Sequence, residues 1–188
     1  LRSKVTVQQA AMPVHAAWGG APPQGGVQAP DPRLPEAGWR ILGGAPPVNA
    51  TAEDWDLHRL TLGLPSGSRD LEAEKSTLLE AGFDELHGVS WDKGCYMGQE
   101  LTARTKYRGL VKRRLAPVRV EGPLPAPGTP VFDGEAEVGT MRSGRGDRGL
   151  ALLRLEAMRA TRLRCGDAAL VPEPARWMQW EPIRLATA

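Results

Sequence analysis

Cys95 has the strongest local case for chemistry in this sequence. It lies between Gly94 and Gly98, directly before a segment predicted to be helical, and Lys93 adds a nearby positive charge. Glycines permit a tight turn and a close approach of a ligand to the backbone, and a helix N-terminus offers unpaired N–H groups and a positive dipole end. These features favour a thiolate and predict a reactive cysteine. The alternative is a small buried residue that fills space beside a turn.

A run of basic residues follows the cysteine. Between residues 101 and 120 there is no acidic residue, and seven residues are basic: Arg104, Lys106, Arg108, Lys112, Arg113, Arg114 and Arg119. Such a cluster can hold a phosphate chain or a row of carboxylates. The alternative is a solvated face, since the net charge of the whole chain is only +2. Nucleic-acid binding has weaker support, because Tyr107 is the only interleaved aromatic residue.

Trp55 is the third candidate, early in the first predicted helix. A tryptophan can stack against a flat heterocycle, although core packing is its usual role on a helix. The second cysteine, Cys165, has strand-like surroundings and is expected to be structural. We identify no general-base pair, catalytic triad, phosphate loop or metal motif in the sequence, and the three histidines (His15, His58, His87) are scattered.

The composition narrows the class of protein. The chain has 188 residues with 22 Gly and 17 Pro, and 41% of it is hydrophobic, which indicates a folded, turn-rich chain rather than a helical bundle. The longest stretch without Asp, Glu, Lys or Arg, residues 5–30, contains four Pro, four Gly and four Gln, so it does not predict a membrane-spanning helix. Two cysteines do not form a disulfide framework, and we expect a reducing, cytoplasmic location.

The elements that must position these residues begin with short strands. Alternating valines predict a strand at residues 5–8, and further strands are expected at 14–18 and 39–42. Residues 21–35, rich in Pro and Gly, are predicted to be a loop.

Three helices are expected next. The first covers residues 51–62, with the hydroxyl of Thr51 as its cap and Gly63 at its end. A short helix is expected at residues 76–81, and a third at 98–107.

From residue 110 the pattern is typical of β-structure. Strands are predicted at 115–120, 131–132, 138–141, 150–155 and 163–171, with a Pro-rich connection at 122–128. Short strands at this spacing favour a small barrel or sandwich. We therefore predict a domain boundary near Gly109.

The segment around Cys95 resembles a known family signature. Residues 93–100 read Lys-Gly-Cys-Tyr-Met-Gly-Gln-Glu, and the YgfZ family of folate-binding proteins carries Lys-Gly-Cys-Tyr-x-Gly-Gln-Glu. The flanking residues agree, with Leu-x-Gly-Val-Ser at 86–90 and Ala-Arg-x-Lys-Tyr-Arg-Gly at 103–109. Further similar segments lie at 38–40 and 139–144, so the resemblance extends over most of the chain.

The resemblance implies an α+β fold like that of the glycine-cleavage aminomethyltransferase (T-protein). Residues 1–109 would be the C-terminal part of its folate-binding body, and residues 110–188 a small antiparallel β-barrel. The family's N-terminal segment, of roughly a hundred residues, is not in this sequence, which begins with Leu1 rather than Met. We therefore expect a body truncated at its N-terminus and an incomplete folate pocket.

The implied function is that of a tetrahydrofolate-binding accessory protein for assembly or repair of iron–sulfur clusters, including those of a radical tRNA-methylthiolating enzyme. The cysteine that the family needs falls on Cys95, and Lys93 is expected in the same reactive site. A folate-contacting tryptophan of the family falls on Trp55, with Gly63 and Pro65 in register. The other residues expected to bind the cofactor are Tyr96, Gly94, Gly98, Gln99 and Arg104.

The resemblance leaves open whether the chain is an enzyme. The implied fold is that of a transferase, but YgfZ-like proteins are not regarded as aminomethyltransferases. The alternative is a folate-dependent aminomethyl or one-carbon transferase of the T-protein type. Many relatives carry Arg-x-Glu where this sequence has Thr61 in place of the glutamate, which argues against a transferase. A tRNA-binding module that uses the basic run is a third hypothesis.

The resemblance also defines the expected partners. These are iron–sulfur client enzymes or the assembly machinery, together with folate whose polyglutamate tail would be held by Arg104, Arg108 or Lys112. No metal site in the chain itself and no membrane association are expected.

Overall fold

The computed structural model describes residues 4–180. The chain separates into two compact units, divided between Asn49 and Ala50. Within the described residues, no helix is long and apolar enough to span a membrane. The predicted boundary near Gly109, between a folate-binding body and a barrel, stays a prediction.

The first unit contains a three-stranded antiparallel sheet in the order β1-β3-β2. Its strands are β1 (Val14–Ala17), β2 (Val27–Pro30) and β3 (Trp39–Leu42), and a 3₁₀ turn at Pro35–Ala37 precedes β3. The strands predicted at 14–18 and 39–42 are confirmed. The strand predicted at 5–8 is wrong, because Val5 and Val7 are exposed and bury no face against the rest of the unit.

Strand β2 falls inside the segment predicted to be a loop. It is an edge strand of four residues paired only with β3 in the described sheet, a place where its terminal Pro30 breaks no ladder hydrogen bond. Asp31 follows it and is buried. Burial would raise the pKa of Asp31, but hydrogen bonds from Arg33 hold that pKa below its ordinary value. The carboxylate thereby fixes the turn that leads into β3.

The second unit begins with helices. Helix α1 (Ala52–Leu62) starts with a reciprocal capping box between Thr51 and Asp54 and ends at Gly63, which has a φ of 75°. Helix α2 (Gly67–Asp70) follows, and α3 (Gln99–Tyr107) comes after a long irregular segment. The expected first and third helices are confirmed, while α2 was not expected.

The helix predicted at 76–81 is wrong. Residues 78–87 form consecutive turns whose backbone hydrogen bonds span three, four or five residues, so no regular helix develops. Gly82 has a φ of 78°, and the ring of Trp177 packs directly against it. Contacts from distant residues therefore override the local helical preference.

The remainder of the second unit is a closed, six-stranded antiparallel barrel in the order β4-β7-β6-β5-β8-β9. Its strands are β4 (Arg113–Glu121), β5 (Pro130–Asp133), β6 (Ala136–Arg145), β7 (Arg148–Arg154), β8 (Leu163–Cys165) and β9 (Ala168–Pro172). The expected barrel is confirmed. The single strand predicted at 163–171 is in fact a hairpin, because Gly166 adopts a φ of 57° and turns the chain between β8 and β9.

The core of the barrel is made by inward-facing residues of every strand. Its fully buried members include Val118, Val131, Met141, Leu153, Leu163, Cys165 and Leu170. Helix α1 adds a smaller cluster on the outside, where Leu60 packs with Leu115 and Leu150. The barrel is therefore the rigid body on which the helices and the Cys95 segment are mounted.

Candidate functional site around Cys95

Cys95 is exposed and carries a free thiol. It lies in residues 92–98, a loop without regular secondary structure that leads into α3. Gly98 caps α3 with a φ of 86°, a left-handed conformation that favours glycine. A side chain at Gly94 would meet nothing within 4 Å, so the fold itself gives no steric reason for that glycine. Open space therefore lies beside Gly94, the residue before the cysteine.

Lys93 and Tyr96 contact each other beside the thiol. The ammonium nitrogen of Lys93 lies 4.8 Å from the centroid of the Tyr96 ring, within the range of a cation–π contact. The hydroxyl oxygen of Tyr96 is buried and has no hydrogen-bond partner among the described residues. Gln99 donates its backbone N–H to the carbonyl oxygen of Tyr96 at 3.2 Å. Five of the predicted site residues, at positions 93, 94, 96, 98 and 99, thus lie in or directly beside the thiol loop.

A polar cluster connects Trp91, which directly precedes the loop, with helix α3, which follows it. Oδ1 of Asp84 accepts a hydrogen bond from Nε1 of Trp91 at 2.6 Å, and Oδ2 lies 2.9 Å from Nζ of Lys106. The same Nζ lies 4.1 Å from the centroid of the Trp91 ring, and the ring of Tyr107 meets Trp91 edge-on at 6.0 Å. We call Asp84, Trp91 and Lys106 the Asp84 clamp. The sequence analysis missed this cluster.

The charge state of Asp84 follows from its partners. Partial burial would raise the pKa of its carboxyl, but the hydrogen bonds from Lys106 and Trp91, together with the charges of Lys106 and Arg114, lower that pKa below its ordinary value. The clamp therefore contains a carboxylate at neutral pH.

Strand β4 fixes the turns that carry the clamp. Leu115 donates its N–H to the carbonyl oxygen of Glu80 at 2.8 Å, and Nη1 of Arg114 donates to the carbonyl oxygen of Leu79 at 2.8 Å. Arg114 also pairs with the carboxylate of Glu85. Residues 78–87 are thus held against the barrel wall on both sides of Asp84.

The basic run divides into two groups in the structure. Four of its members have acidic partners: Lys106 with Asp84, Arg113 with Glu80, Arg114 with Glu85, and Arg119 with Glu121 and Glu173. The other three, Arg104, Arg108 and Lys112, are exposed and form no ion pair within the described part of the chain. The basic run is therefore in part a set of ion-paired residues, while the binding of an anion by the other three stays a prediction.

Trp55 lies on a different element from the thiol loop. It is half-buried on α1, where its ring centroid is 5.7 Å from that of His58. Thr61 is exposed on the same helix, and its hydroxyl donates to the carbonyl oxygen of Leu57 at 2.9 Å. The predicted contact of Trp55 with folate stays a prediction.

A buried ionic cluster holds α1 and α2 on the barrel. Arg59 donates to Oδ1 of Asp56 at 2.7 Å, to Oδ2 of Asp70 at 2.8 Å and to the hydroxyl of Ser143 on β6 at 2.8 Å. All four side chains are buried. Burial would raise the pKa of Asp56, but hydrogen bonds from three arginines hold that pKa well below its ordinary value. These three arginines are Arg69, Arg145 and Arg59. The sequence analysis missed this cluster too.

Within residues 4–180, no group of three or more His, Cys, Asp or Glu is placed to hold a metal ion. The loop of Cys95 offers one accessible thiol, an ammonium group two residues before it and a buried phenol oxygen, and three exposed cations without ion pairs in the described residues follow it in the chain. This set suits the binding of an anionic or thiol-reactive partner to a surface loop.

The barrel identifies the class of protein that this chain resembles. Residues 112–180 match a family model described as CAF17, C-terminal beta-barrel domain. The curated relatives are more specific. The chain is 40% identical over 165 residues to the protein of Homo sapiens named Iron-sulfur cluster assembly factor IBA57, mitochondrial, an alignment that covers 81% of this chain and 46% of that protein.

Two further relatives carry matching names. The IBA57 protein of Mus musculus is 38% identical over 167 residues, which cover 81% of this chain and 46% of the relative. The IBA57 homologue of Coccidioides immitis is 29% identical over 192 residues, which cover 82% and 45%. The chain thus spans about half the length of the curated relatives it matches. These similarities fit the YgfZ/CAF17 family broadly.

Proposed function

We propose that this chain acts in iron–sulfur cluster assembly and that the thiol of Cys95 is its reactive group. The observation that carries the proposal is the exposed, free thiol of Cys95 in a chain whose relatives are named iron–sulfur cluster assembly factors. The expected partners are the assembly machinery or client enzymes, which the names of the relatives support.

The surroundings of Cys95 support its role. The open space beside Gly94 admits the backbone or the ligand of a partner, and Lys93 supplies a positive charge two residues from the thiol. The sulfur of cysteine is the atom that attacks electrophiles and binds metals, so this role requires a sulfur that a partner can reach. Cys165, by contrast, is enclosed in the barrel core.

We further propose that the protein binds tetrahydrofolate. The half-buried ring of Trp55 offers a stacking surface for a pterin. The Tyr96 hydroxyl, which has no hydrogen-bond partner among the described residues, offers a hydrogen-bonding group. Arg104, Arg108 and Lys112 have the charge to bind the carboxylates of a polyglutamate tail, because no acidic side chain of the described residues neutralises them.

An accessory role is preferred over aminomethyl transfer. Thr61 provides no carboxylate where many relatives have one, and its hydroxyl is engaged by the helix backbone. The cytoplasmic location stays a prediction, and the relatives carry the word mitochondrial in their names. Binding of tRNA has only the three uncompensated cations in its favour. Salt-dependent binding that Arg104→Gln weakens would support it, and no binding at low salt would end it.

The role of Cys95 is tested by complementation in cells that lack the endogenous homologue. Cys95→Ala and Cys95→Ser are expected to abolish recovery of a cluster-dependent enzyme, and Cys165→Ala is the matched control that retains it. Equal expression of the variants is confirmed by immunoblot. Full recovery with Cys95→Ala would remove the proposal.

Folate binding is tested by titration with tetrahydrofolate while tryptophan fluorescence is recorded. Trp55→Phe is expected to weaken binding, and Trp39→Phe, on the first unit, is the control. The double variant of Arg104→Gln and Arg108→Gln should abolish any preference for polyglutamyl over monoglutamyl folate. Arg113→Gln, which removes an arginine already paired with Glu80, should leave that preference intact.

A further inference from the structure

We propose that Asp84 is a positioning residue for Cys95 and holds the thiol loop in place through Trp91 and Lys106. The inference rests on the proposed function in one respect, namely that Cys95 is the reactive group. Trp91 precedes the cysteine by four residues and Lys106 follows it by eleven, so one carboxylate joins both ends of the segment that presents the thiol.

The loop and α3 have little else to hold them. None of the residues of α3 is fully buried, and those that face the rest of the chain are only partly buried, so the helix has no apolar core of its own to hold it. Met97 is fully exposed and Leu101 is 62% exposed, on either side of the start of α3. A nine-residue helix is marginal in water without tertiary contacts. The contacts that dock it include those of Lys106 with Asp84 and the Trp91 ring, and that of Tyr107 with the Trp91 ring.

The other side of the clamp is firmly anchored. Asp84 lies in the turns at residues 78–87, whose Leu79, Ala81 and Leu86 are buried. These turns are bound to β4 by backbone and side-chain hydrogen bonds from Arg114 and Leu115. The Asp84 carboxylate thus connects these anchored turns to both Trp91 and Lys106.

Each oxygen of the Asp84 carboxylate has its own partner, Oδ1 the indole of Trp91 and Oδ2 the ammonium of Lys106. Substitutions at position 84 therefore remove defined contacts. An asparagine at position 84 keeps one acceptor for the Trp91 N–H but presents no charge to Lys106. Glutamate keeps the charge and both acceptors on a longer stem. The series Asp84→Glu, Asp84→Asn and Asp84→Ala therefore removes the functions of the clamp stepwise.

The experiment measures amide hydrogen exchange of α3 in this chain. Asp84→Asn is expected to speed exchange of the α3 amides about tenfold, the factor that accompanies loss of one charge-assisted hydrogen bond, with the barrel amides unchanged. Asp84→Glu should restore most of the protection. Unchanged exchange in Asp84→Asn would overturn the proposal.

Two controls separate positioning from general effects. Asp92→Asn removes an exposed acid from the loop itself and should leave α3 exchange unaltered. Trp91→Phe replaces the indole by a smaller ring without an N–H, keeps an aromatic ring for Lys106, and should give a smaller increase than Asp84→Asn. If Asp84→Ala fails to fold, Asp84→Asn and Trp91→Phe still decide the question.

Complementation then links the clamp to the thiol. In an assay in which Cys95→Ala is inactive, Asp84→Asn is expected to restore little of the activity of the cluster-dependent enzyme. Asp84→Glu is expected to restore most of it. Full recovery by Asp84→Asn beside an inactive Cys95→Ala overturns the positioning role alone. Full recovery by Cys95→Ala overturns the proposed function, while the exchange data still decide whether the clamp orders the loop.

Discussion

Two parts of the second unit use charged residues in opposite ways. Beneath α1 and α2, Arg59 is 3% exposed and binds two buried carboxylates and a hydroxyl. On α3, which follows the thiol loop, Arg104 is exposed, as is Arg108 at its end, and neither forms an ion pair within the described residues. Charges that are buried and paired hold the fold together, whereas charges left in solvent are available to a partner.

The same contrast applies to order. The cluster of Arg59 connects two helices to strand β6 through several short hydrogen bonds. The thiol loop depends on the Asp84 clamp, whose carboxylate is partly open to solvent. A site that must meet a large partner gains from such a loop, because little tertiary structure has to be displaced when the partner binds.

The largest effect is expected from Arg59→Met. This change leaves Asp70 buried without its cation, and breaking a buried ion pair in this way destabilises proteins by about 3–5 kcal/mol. The measurement is urea unfolding followed by far-UV circular dichroism. The matched change at the other region is Arg104→Met, which should alter stability by less than about 0.5 kcal/mol, as surface substitutions usually do. Equal losses in the two variants would break the comparison.

The second-largest effect on stability is expected from lowering the pH, which protonates carboxylates of the buried ionic cluster and of the Asp84 clamp. Asp56 and Asp84 both have folded-state pKa values below their ordinary ones, so their stabilising contributions are complete above about pH 5 and are lost as the pH falls through the unfolded and then the folded pKa values. Stability to urea is therefore expected to decline from about pH 5 downward. Asp56→Asn should be less stable than wild type at pH 7 and show a shallower decline. Stability that is constant down to pH 3 would contradict the assignment.

The sequence correctly predicted the helices whose first and last turns are determined by residues nearby in the chain. Thr51 and Asp54 form the expected N-terminal cap of α1, Gly63 ends it, and Gly98 begins α3 as expected. The strands of the barrel followed from short apolar segments at regular spacing with turn residues between them, although residues 163–171 form a hairpin rather than one strand. These features depend on residues within a few positions of one another, and they are the features that a sequence specifies most directly.

Long-range pairing was beyond the sequence. Arg59 meets Ser143 across 84 positions, and nothing in either neighbourhood distinguishes this arginine from a surface one. Nothing in the sequence around Asp84 indicated its role either, because its partners are 7 and 22 residues away. The signature motif located Cys95 and the residues around it. The clamp that holds them required the packing of the turns at 78–87 against the barrel, which no local pattern encodes.

The two glycines of the thiol loop provide a smaller test. Gly98→Ala forces a side chain into a left-handed conformation, at a cost of about 1–2 kcal/mol, and should speed hydrogen exchange in α3. Gly94→Ala meets no neighbour within 4 Å and should leave exchange unchanged. If Gly94→Ala nevertheless abolishes complementation, its role lies in the approach of a partner. If both variants behave alike, the loop is not ordered as described.

The smallest effects are expected from the two cysteines, which have the same side chain and differ in burial. Cys95→Ala should change the free energy of unfolding by less than about 0.5 kcal/mol, whereas Cys165→Ala should lose about 1 kcal/mol through the cavity it leaves in the barrel. Burial also raises the pKa of the Cys165 thiol, which disfavours its thiolate. Iodoacetamide is therefore expected to modify Cys95 in the native protein and Cys165 only after unfolding, as read by peptide mass spectrometry. Modification of both thiols at similar rates under native conditions would show that the barrel opens as readily as the loop, and the contrast between a rigid scaffold and an accessible thiol would fail.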